Sequence, residues 1–334
     1  MANHNGVIVT RTPLRVSFAG GGTDLADVYE RGHGAVLSTA IDKYIYVTVK
    51  RHSPIFKEAV RINYSRSETV NSIGEIQNAI ARECLTLLEI DPPVYVSTVG
   101  DLPASTGLGG SSAFAVGLLN ALHAFRGERV SAGQLAEEAC HIEIEVLKQP
   151  IGKQDQYAAA FGGLNLFCFR PGGSVTVEPQ RFTNGTLHEL FDSILMFWTG
   201  HQRDAGDVLV EQRARTPANM DALLEIRAHA YRLQQLLADH VDLSAFGHTL
   251  HETWELKRSL ASTITTSQID GWYQQAMASG ALGGKLCGAG GGGFLLMIVP
   301  PAHQAQVKAS LKDLQQIPVR FEVHGSRVLL GSSD

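Results

Sequence analysis

Hydrophobic positions in the first half of the chain gather into short β-branched runs separated by turns and helical stretches. Val7 to Thr10, Arg15 to Phe18, Tyr44 to Lys50, Val60 to Tyr64 and Val94 to Val99 read as strands. Ser112 to Phe125 is apolar almost all round, the pattern of a helix buried on most faces. Ser131 and Gln134 form a capping-box start, after which Leu135, Ala139, Ile142 and Val146 keep helical spacing until Pro150 forbids continuation. Leu164 to Phe169 and Val175 to Val177 read as a hairpin turning at Arg170-Pro171-Gly172-Gly173.

The second half opens with an apolar strand, Ser193 to Trp198, followed by helical patterns at Ala218 to Ala238, Leu250 to Ser259 and Ile269 to Ala278. Strands are predicted at Phe294 to Val299 and Val319 to Val323. Helices packed on a small sheet with split β-α-β character follow from that order, so the fold class is α+β. A chain of 334 residues exceeds the roughly 250 to 300 at which single cores stop growing, and two domains are expected. No repeat or low-complexity linker marks the division. It is placed at 1–187 and 188–334, within the stretch 185–192.

Composition narrows the classes of function. With 44% hydrophobic and 18% charged residues the chain is globular, and its net charge of −5 is spread without a basic field. Nucleic acid and membrane surfaces are therefore not expected partners, while a homo-oligomer is left open. The start lacks a signal peptide pattern, and Phe294 to Val299 is too short to span a bilayer at about 1.5 Å per helical residue. A cytoplasmic protein is expected. Cys84, Cys140, Cys168 and Cys287 are scattered without a C-x-x-C pair, and they read as core residues in a reducing compartment. His201, His248 and His251 sit in no metal-ligand spacing, so no zinc is expected.

Three glycine-rich segments carry the candidate chemistry. Pro103-Ala104-Ser105-Thr106-Gly107-Leu108-Gly109-Gly110-Ser111-Ser112-Ala113 delivers small residues and hydroxyls into a helix start. Free N–H groups there carry partial positive charge, and glycines allow an anion such as a phosphate to approach the backbone closely. Tight packing or simple N-capping is the plainer reading of the same residues. Gly288-Ala289-Gly290-Gly291-Gly292-Gly293 matches G-x-G-x-x-G, but a helix precedes it and a strand follows, the reverse of a dinucleotide fingerprint. Gly284-Lys285 is followed by Leu286, so there is no Walker A motif either. The third segment runs from Arg11 through Arg15 to Gly20-Gly21-Gly22-Thr23-Asp24, a strand entering a turn that ends on a carboxylate. Alone, it reads equally as a helix cap.

In this order the segments resemble the three motifs of the GHMP kinase superfamily, and the resemblance covers nearly the whole chain. The blocks R-T-P-L-R-V-S-F-A-G-G-G-T-D, G-L-G-G-S-S-A, G-K-Q-D-Q-Y-A-A-A-F-G-G and G-A-G-G-G-G-F are most similar to D-glycero-D-manno-heptose 7-phosphate kinases. The resemblance implies an N-terminal domain like the second domain of ribosomal protein S5, carrying ATP, and a ferredoxin-like C-terminal domain. It implies that Pro103 and Gly107 to Ala113 hold the ATP phosphates, that Ser112 and Glu143 hold Mg²⁺, and that Asp155 faces the substrate hydroxyl with Arg15 beside it. Glu145 is a rival for the Glu143 role. Gly21, Gly22, Thr23 and Asp24 are implied on the sugar, and Gly290 and Gly291, with Lys285 nearby, in shaping the site. Gly21-Gly22 stands where galactokinases have Glu-His, which argues against galactose.

The implied reaction passes the γ-phosphoryl group of Mg²⁺·ATP to the anomeric hydroxyl of a heptose 7-phosphate, in nucleotide-activated heptose synthesis. Positioning and charge neutralisation supply most of the acceleration in such a reaction. A phosphorylated sugar also needs cations remote from ATP, for which Lys43, Lys50, Arg51 and Arg203 are candidates alongside their reading as solvated charges. Alternatives are a kinase for mannose, fucose or a galactose-like sugar, and a catalytically silent nucleotide-binding regulator.

Overall fold

A computed structural model of the protein describes residues 6–53, 55–182, 185–201, 205–238 and 242–331. The first two predicted strands are one: β1 (Ile8–Ala19) runs straight through Pro13. Proline lacks the ladder N–H that usually ends a strand, and β1 accommodates it at a register shift between Pro13 and Leu14 against β2 (Gly34–Arg51). The first half of β2 is buried on both faces, which erases the alternation that would have shown its full length. β3 (Val60–Asn63), β4 (Ser67–Val70), β5 (Val94–Gly100), β6 (Leu164–Phe169) and β7 (Val175–Pro179) extend this sheet, with β3 parallel to β5 and the rest antiparallel.

The second sheet consists of β8 (Ile194–Trp198), β9 (Gly283–Leu286), β10 (Phe294–Ile298) and β11 (Gln315–Gln316), in the order β11-β8-β10-β9. Taken in chain order this is 4-1-3-2 with every pair antiparallel, the ferredoxin-like arrangement. The expected strand at Val319 to Val323 is not formed. That segment instead crosses onto the first sheet through a single bridge, Phe321 to Ile41, and backbone bonds from Asp42 N to Arg320 O and from Glu322 N to Ala40 O. β12 (Arg327–Leu330) then pairs with β1, so the first sheet takes its edge strand from the end of the chain. Ile317 N still donates to Met196 O of β8, so it is the tail from Arg320 on that lies on the first sheet, although the expected division at 187/188 assigned it to the second domain.

Helices α1 (Ala26–Tyr29), α2 (Ala79–Leu87), α3 (Gly110–Phe125), α4 (Ala132–Cys140) and α5 (Gln154–Phe161) accompany the first sheet. Ser131 caps α4 by accepting from Gln134 N, and the helix continues as a π-helical turn, His141–Val146. α3 lies under β1 and β2 with Ala113, Val116, Leu118, Leu119 and Leu122 fully buried in the larger core. α6 (Thr186–Asp192), α7 (Ala205–Arg215), α8 (Met220–Gln235), α9 (Leu243–Ser259), α10 (Ser267–Ala278) and α11 (Gln304–Ser310) complete the chain. A second core gathers Phe197, Trp254, Ile269, Leu295 and Met297 around the second sheet. Among the described residues no helix is long and apolar enough to cross a membrane.

Candidate active site

A cavity of about 470 Å³ opens where the two sheets and their helices meet. One wall is the start of α3. Its N-cap, Gly109, takes φ +76°, and no side chain caps the helix, so its first-turn N–H groups are free to face the cavity beside Gly107, Gly110, Ser111 and Ser112. A side chain at Gly109 would lie 3.3 Å from Arg15 Cγ and 3.4 Å from Asp155 Oδ2, besides being strained at that φ. Such a bare helix start in a cavity is suited to an anion.

Directly against this helix start lies a largely buried ion pair. Arg15, on β1, donates from Nε to Asp155 Oδ1 at 2.8 Å and from Nη2 to Asp155 Oδ2 at 2.7 Å. Its third arm donates from Nη1 to the Gly107 carbonyl at 2.7 Å, and its backbone N–H donates to Leu108 O. One arginine thus fixes both the phosphate-type loop and a carboxylate from the first turn of α5. Burial opposes the charge on Arg15, but Asp155 outweighs it and the pKa is raised.

Asp24 sits beside this pair, accepting from Gly22 N at 2.9 Å, Gln154 Nε2 at 3.1 Å and Gln154 N at 3.3 Å. Burial, then repulsion from Asp155, raises its pKa. Gly21 and Gly22 line the cavity with it. Thr23 does not: its hydroxyl donates to Gly20 O and accepts from Ala35 N, fully buried beneath the turn. The segment is a turn stapled from below, with only its upper edge available to a ligand.

Glu143 lies in the π-helical turn, wholly buried behind Ser112, and accepts from Gln156 Nε2 at 2.7 Å. Burial pushes its carboxyl up to about 7, although the nearby hydroxyls of Ser112 and Ser111 offset part of that. Ser112 Oγ and Glu143 Oε1 are both buried without a formed hydrogen bond. Two orphaned hard oxygen ligands side by side fit Mg²⁺, which usually takes one or two protein oxygens and completes its shell with phosphate oxygens and water. Glu145 instead lies on the surface, paired with His141.

Several expected residues are elsewhere. Pro103 is exposed, while Leu108 and Ala113 are buried under the loop, which they support without lining the cavity. Gly290 and Gly291 pack on the Ile264 backbone, Gly291 N donating to Ile264 O at 2.8 Å, so they shape the loop from outside the cavity. Gly288 meets Gly107 so closely that a side chain would fall 2.4 Å from Gly107 Cα, which joins the two glycine segments back to back. Lys285 Nζ donates to Ser17 O at 2.7 Å and Phe18 O at 3.3 Å, tying β9 to the end of β1. Lys43 and Arg51 are engaged with Asp42 and with the Asp91 carbonyl, and neither they nor Lys50 line the cavity. Arg203 lies outside the described residues.

The structure also brings in Lys257 and Gln212, which sequence reasoning missed. Lys257, on α9, is buried and donates to the Gly288 carbonyl; burial pulls its pKa down to about 8. In the sequence it stands within Trp254-Glu255-Leu256-Lys257-Arg258, where nothing separates it from a surface lysine.

Residues 71–163 match the GHMP kinases N terminal domain and residues 234–315 the GHMP kinases C terminal domain. The chain belongs to the GHMP kinases. It is 30% identical over 319 residues to the D-glycero-alpha-D-manno-heptose 7-phosphate kinase of Campylobacter jejuni, covering 92% of this chain and 94% of that one. It is 26% identical to the mevalonate kinase of Methanothermobacter thermautotrophicus, over 86% of this chain and 91% of the relative. The crystal structure of a D-glycero-D-manno-heptose 1-phosphate kinase from Bacteroides thetaiotaomicron superposes with a TM-score of 0.80 at 24% identity, covering 98% of this chain and all of that one. This GHMP kinase is an ATP-dependent phosphotransferase with an alcohol group as acceptor, a sugar kinase of its family.

Proposed function

We propose that this GHMP kinase phosphorylates the anomeric hydroxyl of D-glycero-D-manno-heptose 7-phosphate, giving the 1,7-bisphosphate, in the cytoplasm and on a route to nucleotide-activated heptose for surface polysaccharide. The observation that carries the reading is the Arg15 fork holding Asp155 beside the bare first turn of α3 in one cavity. The heptose follows from the name of the Campylobacter jejuni relative.

In this reading the triphosphate lies on Gly107 and the Gly109–Ser112 turn, where backbone N–H groups hydrogen-bond its oxygens. The acceptor lies over Gly21, Gly22 and Asp24, whose carboxylate takes hydrogen bonds from sugar hydroxyls. Asp155 accepts the proton of the attacking hydroxyl as that oxygen forms its bond to the γ-phosphorus and the bond to the β–γ bridging oxygen breaks, releasing ADP. Arg15 keeps the carboxylate correctly turned through its two hydrogen bonds. Ser112 and Glu143 would hold Mg²⁺, which when bound offsets charge on the phosphate oxygens.

The acceptor's own phosphate we assign to a second cavity of about 420 Å³ that shares Pro150 with the first and is lined by Arg31, Arg213 and Asp27. Arg213 Nε donates to Asp27 Oδ2 at 2.6 Å, so Asp27 orients it while Arg31 stands ready for a dianion. Release of ADP, measured by a coupled assay with heptose 7-phosphate, mannose, fucose, galactose and mevalonate, tests the reading. Preference for heptose 7-phosphate over the other sugars is expected. Faster turnover of an unphosphorylated sugar overturns the substrate, and ATP binding without turnover of any acceptor overturns catalysis in favour of a regulator.

A further inference from the structure

The charge inventory of the main cavity leaves one cation unexplained. A nucleotide triphosphate brings several negative charges, yet the ionisable side chains on the wall are Asp24, Asp155, Arg15 and Lys257. Arg15 is paired with Asp155, which offsets its charge, and three of its five N–H donors are committed to Asp155 and the Gly107 carbonyl. Lys257 is different. Its side chain is buried on α9, one turn beyond the fully buried Trp254, which fixes where the ammonium can go. That ammonium has three donors, and its one hydrogen bond among the described residues is to the Gly288 carbonyl.

A single neutral carbonyl does not repay the burial of an ammonium, which is tolerated when an anion faces it. The groups around Lys257 are Asp24, Asp155 and Cys287, which favour its charge, and Arg15 and Lys285, which oppose it. None of them forms a hydrogen bond with it among the described residues. Position completes the case, since Gly288, which Lys257 holds, is the glycine packed on Gly107, where the loop that faces the cavity begins.

We propose that Lys257 is a catalytic residue whose ammonium grips the oxygens of the terminal phosphoryl group of ATP, held by the nucleotide and still held as that group transfers. The proposal rests on the cavity being the triphosphate site, and not on which sugar is the acceptor. Charge so placed is worth most where phosphoryl oxygens gain negative charge in a low-dielectric cavity. Burial lowers the pKa of Lys257, and a triphosphate facing the ammonium would raise it.

Two variants of the full chain, Lys257→Met and Lys257→Arg, test this by direct titration with ADP and with a non-hydrolysable ATP analogue, without any sugar. Lys257→Met is expected to weaken the ATP analogue by about tenfold or more while ADP weakens less than about threefold, and to lower kcat by about 100-fold or more. Lys257→Arg is expected to recover part of both. It should also remove a decline in wild-type kcat/KM for ATP near pH 8, where the lysine of the free protein loses its charge, since arginine stays charged there. Equal weakening of both nucleotides in a folded Lys257→Met protein would mean that the lysine only props the Gly288 loop, and would overturn the proposal. Unchanged binding of the ATP analogue would overturn it as well. Should the Met variant fail to fold, the Arg variant decides: an alkaline decline identical to wild type refutes the role. A wrong sugar assignment leaves every one of these binding results intact, so the two failures are separable.

Discussion

Asp155→Asn separates a carboxylate that takes a proton from one that merely neutralises an arginine. Asn keeps one oxygen for one arm of Arg15 but turns an NH₂ against the other, so one of the bonds at 2.7 and 2.8 Å is lost. A charge-assisted bond of this kind contributes about 1.5–3 kcal/mol. The side chains are 7% and 24% exposed, so solvent screens the pair only in part. The loss is partly offset, because Asp24 sits in the field of Asp155 and that repulsion disappears with the charge. A net cost of about 1–2 kcal/mol, read as a drop of a few degrees in Tm, is expected. The catalytic loss is much larger. A positioned base contributes about 10² to 10⁴ in rate, or about 3–5 kcal/mol of barrier. Coupled ADP release gives kcat, nucleotide titration checks the phosphate loop, and a melting curve checks the fold. Turnover within about threefold of wild type, in a protein that melts normally, would reduce Asp155 to a structural counter-ion of Arg15.

Other residues give sharper tests of separate parts. Gly288→Ala forces a side chain to within 2.4 Å of Gly107 Cα at φ +75°, so we expect lower Tm together with weaker ATP binding, measured by melting and titration; a variant unchanged in both would dissolve the link between the glycine segments. Arg31→Ala is expected to raise KM for a phosphorylated acceptor about tenfold at unchanged kcat, and to leave unphosphorylated sugars untouched. Equal effects on both sugars would place the phosphate elsewhere. His123 is clamped between Glu128 Oε2 at 2.7 Å and Glu138 Oε2 at 2.8 Å. Burial alone would lower its pKa, but the two carboxylates outweigh burial and raise it. Its contribution is therefore complete below the unfolded value of about 6.5 and is lost as pH climbs through the higher folded value. His123→Gln should destabilise the fold more at pH 6 than at pH 9, by about 1.5–3 kcal/mol at the acid end, where the Glu138 bond dominates, read from melting or denaturant curves. An equal loss at both pH values would contradict the clamp.

How much of this was legible depends on whether a feature is local. The bare start of α3 could be read from Gly107 to Ser112 because a helix that follows glycines and hydroxyls exposes its N–H groups whatever surrounds it. Arg15 and Asp155 are 140 positions apart, and only the resemblance to a kinase family put them side by side. Local reading failed where the tertiary environment reversed a local signal. Val7 to Thr10 and Arg15 to Phe18 looked like two strands, yet one strand passes through Pro13 at a register shift. Val319 to Val323 looked like a strand of the second sheet, yet its backbone bonds are spent on Ala40, Asp42 and Gly163 of the first. Thr23 looked like a ligand hydroxyl, yet Gly20 and Ala35 consume it.

Lys257 shows why such failures gather at the site. Its neighbours on α9 alternate charged and apolar as on any surface helix, and the burial that makes it interesting arises only when α9 and the Gly288 loop meet Gly107 from the other half of the molecule. A cavity formed between two sheets must draw its charges from both. In the proposed site the half that supplies the glycine loop, Arg15 and Asp155 would seat the anion and align the proton acceptor, and its one wall cation among the described residues, Arg15, is paired with Asp155. On our proposal the charge that answers the triphosphate comes across the gap, on a helix whose sequence gives no sign of it.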